Sequence, residues 1–196
     1  MFSVLSIGPG CSPPDPEREK QKRANRLMGQ FVEAEIFWIQ EEVAHELIER
    51  GTPNLIPKLT RYLKIENRRR RCNAAMVLAG LGDEHGIEVL LKELKDTTPR
   101  KARGVRPSTR KDEIRQAHVD RAYAAMLLGT LQAGHAVTDL VQATTDTNVQ
   151  AKAAVSLGQI GDPRAIPALR KMVENFPEKR LPAGYGLAAL GETQGF

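Results

Sequence analysis

Apolar residues recur three to four positions apart along most of the chain after residue 40, in pairs of short segments separated by turn residues. This spacing places the apolar residues on one side of an α-helix. In each first segment a leucine stands three residues before the last residue of the pattern, and a small residue stands two before it except in the first copy, which has Ile48. That last residue, the anchor, is Leu81, Leu131, Ile160 and Leu190 in successive copies, with Arg50 in a degenerate first copy. The pattern predicts helices whose small residues let neighbouring helices approach closely.

A turn and a second apolar segment follow the anchors. Thr52, Asp83 and Asp162 stand at matching places in these turns. Thr or Asp there is expected to cap the N–H groups of the second helix, and a following proline fits its first position. The second segments align Ile56, Ile87, Val137 and Ile166, and three residues later Leu59, Leu90, Leu140 and Leu169. Each copy is therefore predicted to be a pair of antiparallel helices.

Units of about 30 residues that repeat in this way are typical of stacked helical arrays. The segment Gly161–Leu169, which reads Gly-Asp-Pro-Arg-Ala-Ile-Pro-Ala-Leu, resembles the HEAT-like repeats of the phycobilin-lyase type, a short form of the HEAT family. The resemblance covers residues 40–196 and concerns the repeat, not a specific enzyme. It implies an all-α fold, a right-handed α–α superhelix of about five helix pairs, the last of them incomplete.

Residues 1–39 have a different texture. A breaker cluster at Ser12–Pro16 precedes a segment from Glu17 to about Arg50 that is expected to be helical, with a break near Gly29. We therefore divide the chain into an N-terminal segment with a capping helix, 1–39, and a repeat domain, 40–196. Because large aromatic residues usually serve burial, Trp38 is expected to help cover the first unit. The alternative places Trp38 in a binding groove.

Two groups of basic residues are candidates for binding. Arg71, Arg121 and Arg180 share a register ten residues before the anchor, where they would form either a strip for acidic groups or an internal ladder. For the ladder, the resemblance implies pairing with the turn aspartates of neighbouring units, Asp83 or Asp162. An insertion at 96–116, which follows an arginine run at 68–71, holds the second group: Arg100, Arg103, Arg106 and Arg110. Its prolines and glycine exclude a continuous helix, and its charges favour either polyanion binding or an ordinary solvated face.

Composition narrows the remaining chemistry. The net charge is +5 and no apolar run is long enough to span a bilayer. Two distant cysteines, Cys11 and Cys72, suit a reducing compartment, and we expect a cytoplasmic protein. Lipid modification at Cys11 is disfavoured because a basic n-region is missing and the apolar stretch is short. Histidines without metal-ligand spacing, and the lack of a nucleophile motif or phosphate loop, lead us to expect no metal, no cofactor and no catalysis.

The sequence thus predicts a non-catalytic scaffold that binds another protein along a concave surface. Nucleic-acid or other polyanion binding through the insertion is one alternative, and a chromophore-lyase subunit, implied by the resemblance, is another. A resemblance to HEAT-like DNA glycosylases fits poorly, because aromatic residues to hold an extruded nucleotide are scarce. The last half-unit is expected to leave Gly186, Leu187, Leu190 and Phe196 bare, which favours a homodimer through this end.

Overall fold

The computed structural model describes residues 15–101, 107–175 and 180–192, and these residues form helices joined by turns, with no strand among them. Short 3-10 turns at Pro53–Leu55, Gly134–Ala136 and Pro163–Ala165 lead directly into three of the helices. The helices are α1 (Pro16–Glu33), α2 (Phe37–Arg50), α3 (Ile56–Tyr62), α4 (Arg68–Gly80), α5 (His85–Lys95), α6 (Arg110–Thr130), α7 (Val137–Ala143), α8 (Gln150–Ile160), α9 (Ile166–Asn175) and α10 (Arg180–Ala189). The all-α solenoid predicted from the sequence is confirmed.

The helices form two layers. The first helices α2, α4, α6, α8 and α10 pack each against the next, and α1, α3, α5, α7 and α9 each pack on the first helix that follows them in the chain. Helix α1 therefore takes the place of a second helix ahead of the first pair. Its Asn25 lies beside Lys58 of α3, and Phe31 packs edge-on against Tyr62 with ring centroids 5.7 Å apart. The described residues thus hold four complete pairs with a single helix at either end.

Two leucine registers fill the space between the layers. The leucines three residues before the anchors are at most 1% exposed, and the leucines of the second helices are fully buried. Both registers recur because equivalent residues of stacked units meet equivalent surroundings. These leucines are Leu78, Leu128, Leu157 and Leu187 in the first helices and Leu59, Leu90, Leu140 and Leu169 in the second.

Small residues bring neighbouring first helices into backbone contact. A Cβ on Gly158 would lie 2.7 Å from the Cα of Gly186, and a Cβ on Gly186 would lie 2.7 Å from the carbonyl oxygen of Ala154. Both distances are shorter than a side chain tolerates. Helices α8 and α10 therefore approach as closely as they do only because glycine stands at both positions.

The turn aspartates cap the second helices as predicted. Asp83 and Asp162 accept the backbone N–H of the residue two positions later, at 3.1 and 2.9 Å respectively. The prediction for Thr52 is wrong, because its hydroxyl donates instead to the Gln21 side chain of α1 at 3.0 Å. Helix α1 packs beside this turn and supplies Gln21 as the acceptor of the Thr52 hydroxyl. In the third pair Ala133 supplies no side-chain cap.

Several boundaries differ from the sequence predictions. Helix α1 continues through Gly29 and ends at Glu33, and residues 34–36 link it to α2. The boundary after residue 39 therefore falls inside α2. The end of the insertion is helical, because a capping box of Thr109 and Asp112 starts α6 at Arg110. Gly186 and Leu187 are buried against the rest of the array, so the expectation that they lie bare is wrong. Phe196 lies outside the described residues.

We expect Gly158→Ala to lower the stability of the fold. Its methyl group would meet backbone atoms of α10, and overpacking typically costs about 1–3 kcal/mol, more than the ~1 kcal/mol gained in helix propensity. Gly29→Ala is the matched control, because a Cβ on Gly29 meets open space within α1. It is expected to raise stability by about 0.5–1 kcal/mol. Thermal unfolding of both variants by circular dichroism tests this, and an equal rise for both would contradict the close approach.

Candidate interaction surface

Four consecutive arginines begin α4, and each side chain reaches a different part of the molecule. Positive charge at a helix N-terminus opposes the helix dipole, so these residues need compensating acceptors. All four have them. The partners are Asp96 for Arg68, Asp120 for Arg69, the Val32 carbonyl for Arg70 and Glu93 for Arg71. The run is therefore a connector between α4 and its neighbours, not a free patch of charge.

Side chains at the register of Arg71 and Arg121 donate hydrogen bonds to backbone carbonyls inside the fold. Gln40 donates to the Phe31 carbonyl of α1 at 2.9 Å, and Arg121 donates to the Leu94 carbonyl of α5 at 2.8 Å. Arg71 donates to the Ile65 carbonyl, just after α3, at 2.5 Å. These carbonyls lie at or just past the ends of second helices, where backbone acceptors lack partners within the helix. Helices α2, α4 and α6 thus each cap the helix that precedes them, whereas the buried side chain of Gln150, at the same register of α8, has no hydrogen-bond partner within the described residues.

The partners of this register differ from those that the resemblance implies. Asp83 and Asp162 cap their own second helices, and Arg121 pairs instead with Asp146, just after α7, at 2.6 Å. Arg180, at the start of α10, is exposed and has no hydrogen bond within the described ranges. Two of the three predicted binding arginines therefore lie in ion pairs of the fold, and Arg180 alone of the three lies exposed on the surface.

The described part of the insertion is held by a buried carboxylate. Asp120 is 1% exposed and accepts from Arg100 Nε at 2.6 Å, from Arg69 and from Gln116. Within the described residues, Arg110 forms one ion pair, with Glu113 at 3.6 Å. Arg103 and Arg106 lie outside the described residues. Of the four candidate arginines, Arg100 thus fixes the start of the insertion onto α6.

A polar network under the surface joins α2, α4 and α6. The Tyr123 hydroxyl lies 2.5 Å from Asn73 Oδ1 and 2.8 Å from Glu41 Oε2, and Asn73 Nδ2 donates to the Phe37 carbonyl at 2.9 Å. Burial, together with the negative charge of Glu41, raises the pKa of Tyr123, so the phenol stays neutral. The network spans three first helices, and its role is to fix their relative positions.

Residues with reactive side chains are engaged in the fold. Burial raises the pKa of the Cys72 thiol, and the nearby Glu93 adds to the rise, so the reactive thiolate is not formed at neutral pH. His85 is exposed and pairs with Asp83, whose hydrogen bond and charge raise the pKa of the imidazole.

Among the residues described, no group of three or more His, Cys, Asp or Glu is placed to hold a metal ion. None of the described helices is long and apolar enough to cross a membrane.

The second helices present cations that our sequence analysis missed. Arg61, Lys92 and Lys171 occupy one register, five residues after the aligned Ile56, Ile87 and Ile166, and all three are exposed. None of these side chains has a partner within the described parts of the chain. Gln142 is the uncharged counterpart in the third pair. Aligning the exposed positions of the second helices, as we aligned the apolar ones, would have revealed this row.

The aromatic residues of the N-terminal part divide between core and surface. Phe31 is fully buried and Phe37 is partly buried, in edge-on contact with Tyr123 at 5.6 Å. Trp38 is 57% exposed. The expectation that Trp38 covers the first unit is therefore wrong. The sequence spacing did not reveal that Trp38 lies on the exposed side of α2.

These features define the protein as an α-solenoid of stacked helix pairs with capped second helices. A family model for HEAT repeats matches residues 115–188, and a model for the PBS lyase HEAT-like repeat matches residues 70–96. The chain is a HEAT-like repeat protein. No curated protein matches it at a significant level.

We expect Asp120→Asn to destabilise the protein by about 3–5 kcal/mol, because it removes the charge that compensates two partly buried arginines. Asp139→Asn is the control, since Asp139 pairs with an exposed Lys95 in a contact worth about 0–1 kcal/mol. Urea unfolding of both variants measures the difference. Equal and small losses would show that Asp120 does not hold this junction.

Asp146 makes the stability of the fold depend on pH in the acidic range. Partial burial alone would raise the pKa of its carboxyl, but hydrogen bonds from Asn148 and Arg121 outweigh burial and hold the pKa below its ordinary value of 3.8. A depressed native pKa gives stability that is present above the unfolded value and is lost as pH falls through the native pKa. We therefore expect Asp146→Asn to be less stable than the parent at pH 7. The gap should close below about pH 3.8, and a constant gap would contradict the assignment.

Proposed function

We propose that this protein is a non-catalytic interaction module that holds another protein along the face of its second helices, which we take as its concave side. HEAT repeats generally mediate protein–protein interaction or scaffolding, and this chain has such repeats. Solenoids offer partners an extended surface that spans several units. The first-helix layer is less suited to this role, because the arginines of α4 and Arg121 of α6 are engaged by the fold.

The row of cations on the second helices carries the proposal. A shared register places these charges at equivalent positions of stacked units, in α3, α5 and α9, with the uncharged Gln142 between them in α7. Arg61, Lys92 and Lys171 are exposed and unpaired in the part of the chain that is described. A partner segment with acidic residues that crosses the helices meets these cations in turn. Complementary charge of this kind guides association and fixes the register of a complex.

Polyanion binding through the insertion is the second candidate. It is supported by the exposed Lys101, Arg110, Lys111 and Arg115, and it would involve Arg103 and Arg106. It is weakened by Arg100, whose guanidinium is neutralised by Asp120. Binding of nucleic acid would show an affinity that falls steeply with added salt and a loss of partners on nuclease treatment.

Two further readings stay as proposals. The match to the PBS lyase HEAT-like repeat leaves open a subunit that handles a bilin, which a shifted bilin absorption band would reveal. A homodimer through α10 would use Leu181 and Tyr185, which are 88% and 54% exposed. Neither is supported by a second feature of the described residues.

Reversing the second-helix row should remove the partner. We expect Arg61→Glu with Lys92→Glu and Lys171→Glu to lose the proteins that co-purify with the parent chain from its native host, including after nuclease treatment. The matched comparison is Arg110→Glu with Lys111→Glu and Arg115→Glu, which makes the same charge change on the insertion and α6. That set should retain the partners. The opposite pattern, with nuclease-sensitive partners, would favour polyanion binding through the insertion.

A further inference from the structure

Helix α2 has an open side. It is the first member of the first-helix layer among the described residues, with α4 packed on one side and α1 beneath it. Its exposed side carries Trp38, Ile39, Glu42, Glu46 and Glu49. These residues follow one another at helical spacing, so they form a single stripe along α2. We call this stripe the α2 edge.

Two registers of the α2 edge, those of Glu46 and Glu49, are packing positions in other first helices. Four residues before the anchor, where α2 has Glu46, Ser156 of α8 donates to the Ala125 carbonyl of α6 at 2.8 Å. At the same register Gly186 of α10 lies against the backbone of α8. One residue before the anchor, where α2 has Glu49, Gly80 of α4 lies against the Ile48 side chain. At Glu46 and Glu49 the α2 edge therefore has the place of a helix–helix interface but carries carboxylates, whereas the register of Trp38 is also exposed in α6, at Val119.

An apolar group lies at the N-terminal end of the α2 edge. Ile36, Trp38 and Ile39 are 43%, 57% and 44% exposed. The Trp38 ring stands edge-on to Phe37 with centroids 5.1 Å apart, and Phe37 is itself covered by the Arg69 guanidinium at 4.3 Å. Trp38 is thus a large exposed aromatic on a firmly packed base. Such residues are the commonest anchors of protein interfaces.

The charges along the edge select the occupant. Glu35, Glu42 and Glu49 have no ion-pair partner within the residues that the structure describes, and Glu46 has only an exposed contact with Arg50 at 3.5 Å. A second helix with carboxylates on its own surface would be repelled. A helix that carries Lys or Arg at every turn beside an apolar row matches both the charges and the apolar end.

We propose that the α2 edge docks a basic amphipathic helix of a partner protein. Its apolar row covers Trp38 and Ile39, and its cations pair with Glu42, Glu46 and Glu49, which are spaced by about one helical turn, close to 5.4 Å. The bound helix extends the first-helix layer by one position. This surface lies apart from the cation row of the second helices, so either proposal can fail without the other.

Trp38 is the only tryptophan in the chain, so its fluorescence reports on the α2 edge directly. The probe is a synthetic helical peptide with leucine along one face and lysine flanking it, and the control peptide has glutamate in place of every lysine. We expect the lysine peptide to shift Trp38 emission to shorter wavelength and to protect it from acrylamide quenching. The glutamate peptide should do neither.

Charge variants test the selectivity. Glu42→Gln with Glu46→Gln and Glu49→Gln should weaken binding of the lysine peptide roughly tenfold at low salt, since three exposed charge pairs are lost. The matched control neutralises Glu17, Glu19 and Glu84, which are exposed elsewhere, and should leave the affinity unchanged.

Four outcomes would overturn the proposal. They are no shift with the lysine peptide, an equal shift with the glutamate peptide, a shift on concentrating the protein alone, which would make a second copy the occupant, and emission from the isolated chain that is already typical of a buried indole. In the last case the chain covers its own edge. Loss of native partners from the second-helix variants bears on none of these outcomes.

Discussion

The first three units depend on one recurring contact, in which a side chain near the start of a first helix donates to a carbonyl at or just past the end of the preceding helix. Gln40, Arg71 and Arg121 make this contact. A helix end leaves backbone acceptors unsatisfied, and burial without a partner makes them costly. Since the ends of the second helices abut the first-helix layer, the contact satisfies those acceptors and joins the layers in one register. The leucine registers are buried in each unit because equivalent residues of stacked units meet equivalent surroundings.

This contact explains why Arg71 and Arg121 are engaged within the fold. Arginine has donors enough to reach a carbonyl and a carboxylate together, as Arg121 does with Leu94 and Asp146. At the α4 N-terminus, four such side chains bind α1, α5, α6 and the segment after α5. The charge that remains for partners lies where no neighbouring helix packs. For this reason the second-helix face, and not the arginine-rich segments, carries the proposed binding role.

The sequence predicts the parts of the structure that local physics decides. The leucine registers and the caps at Asp83 and Asp162 depend on contacts that helical periodicity and short-range hydrogen bonding fix. The partners of the arginines depend on contacts that no local pattern encodes, such as Arg69 with Asp120, 51 residues away. The expectation that Trp38 covers the first unit is wrong for the same reason. It is set by which helices pack beside α2, a property of the assembled array.

Interior and terminal helices of a repeat array differ in which of their positions are free to bind a partner. Interior registers of the first helices are constrained by their neighbours, so Ser156 and Gly186 reflect stacking. At the α2 edge that constraint is absent from the described array, and the corresponding residue is the exposed Glu46. A carboxylate alone would serve solubility, but an adjacent exposed Trp38 works against solubility. The combination of an apolar anchor with an acidic stripe is explained when both contact one bound helix, which is why we place a specific interface there.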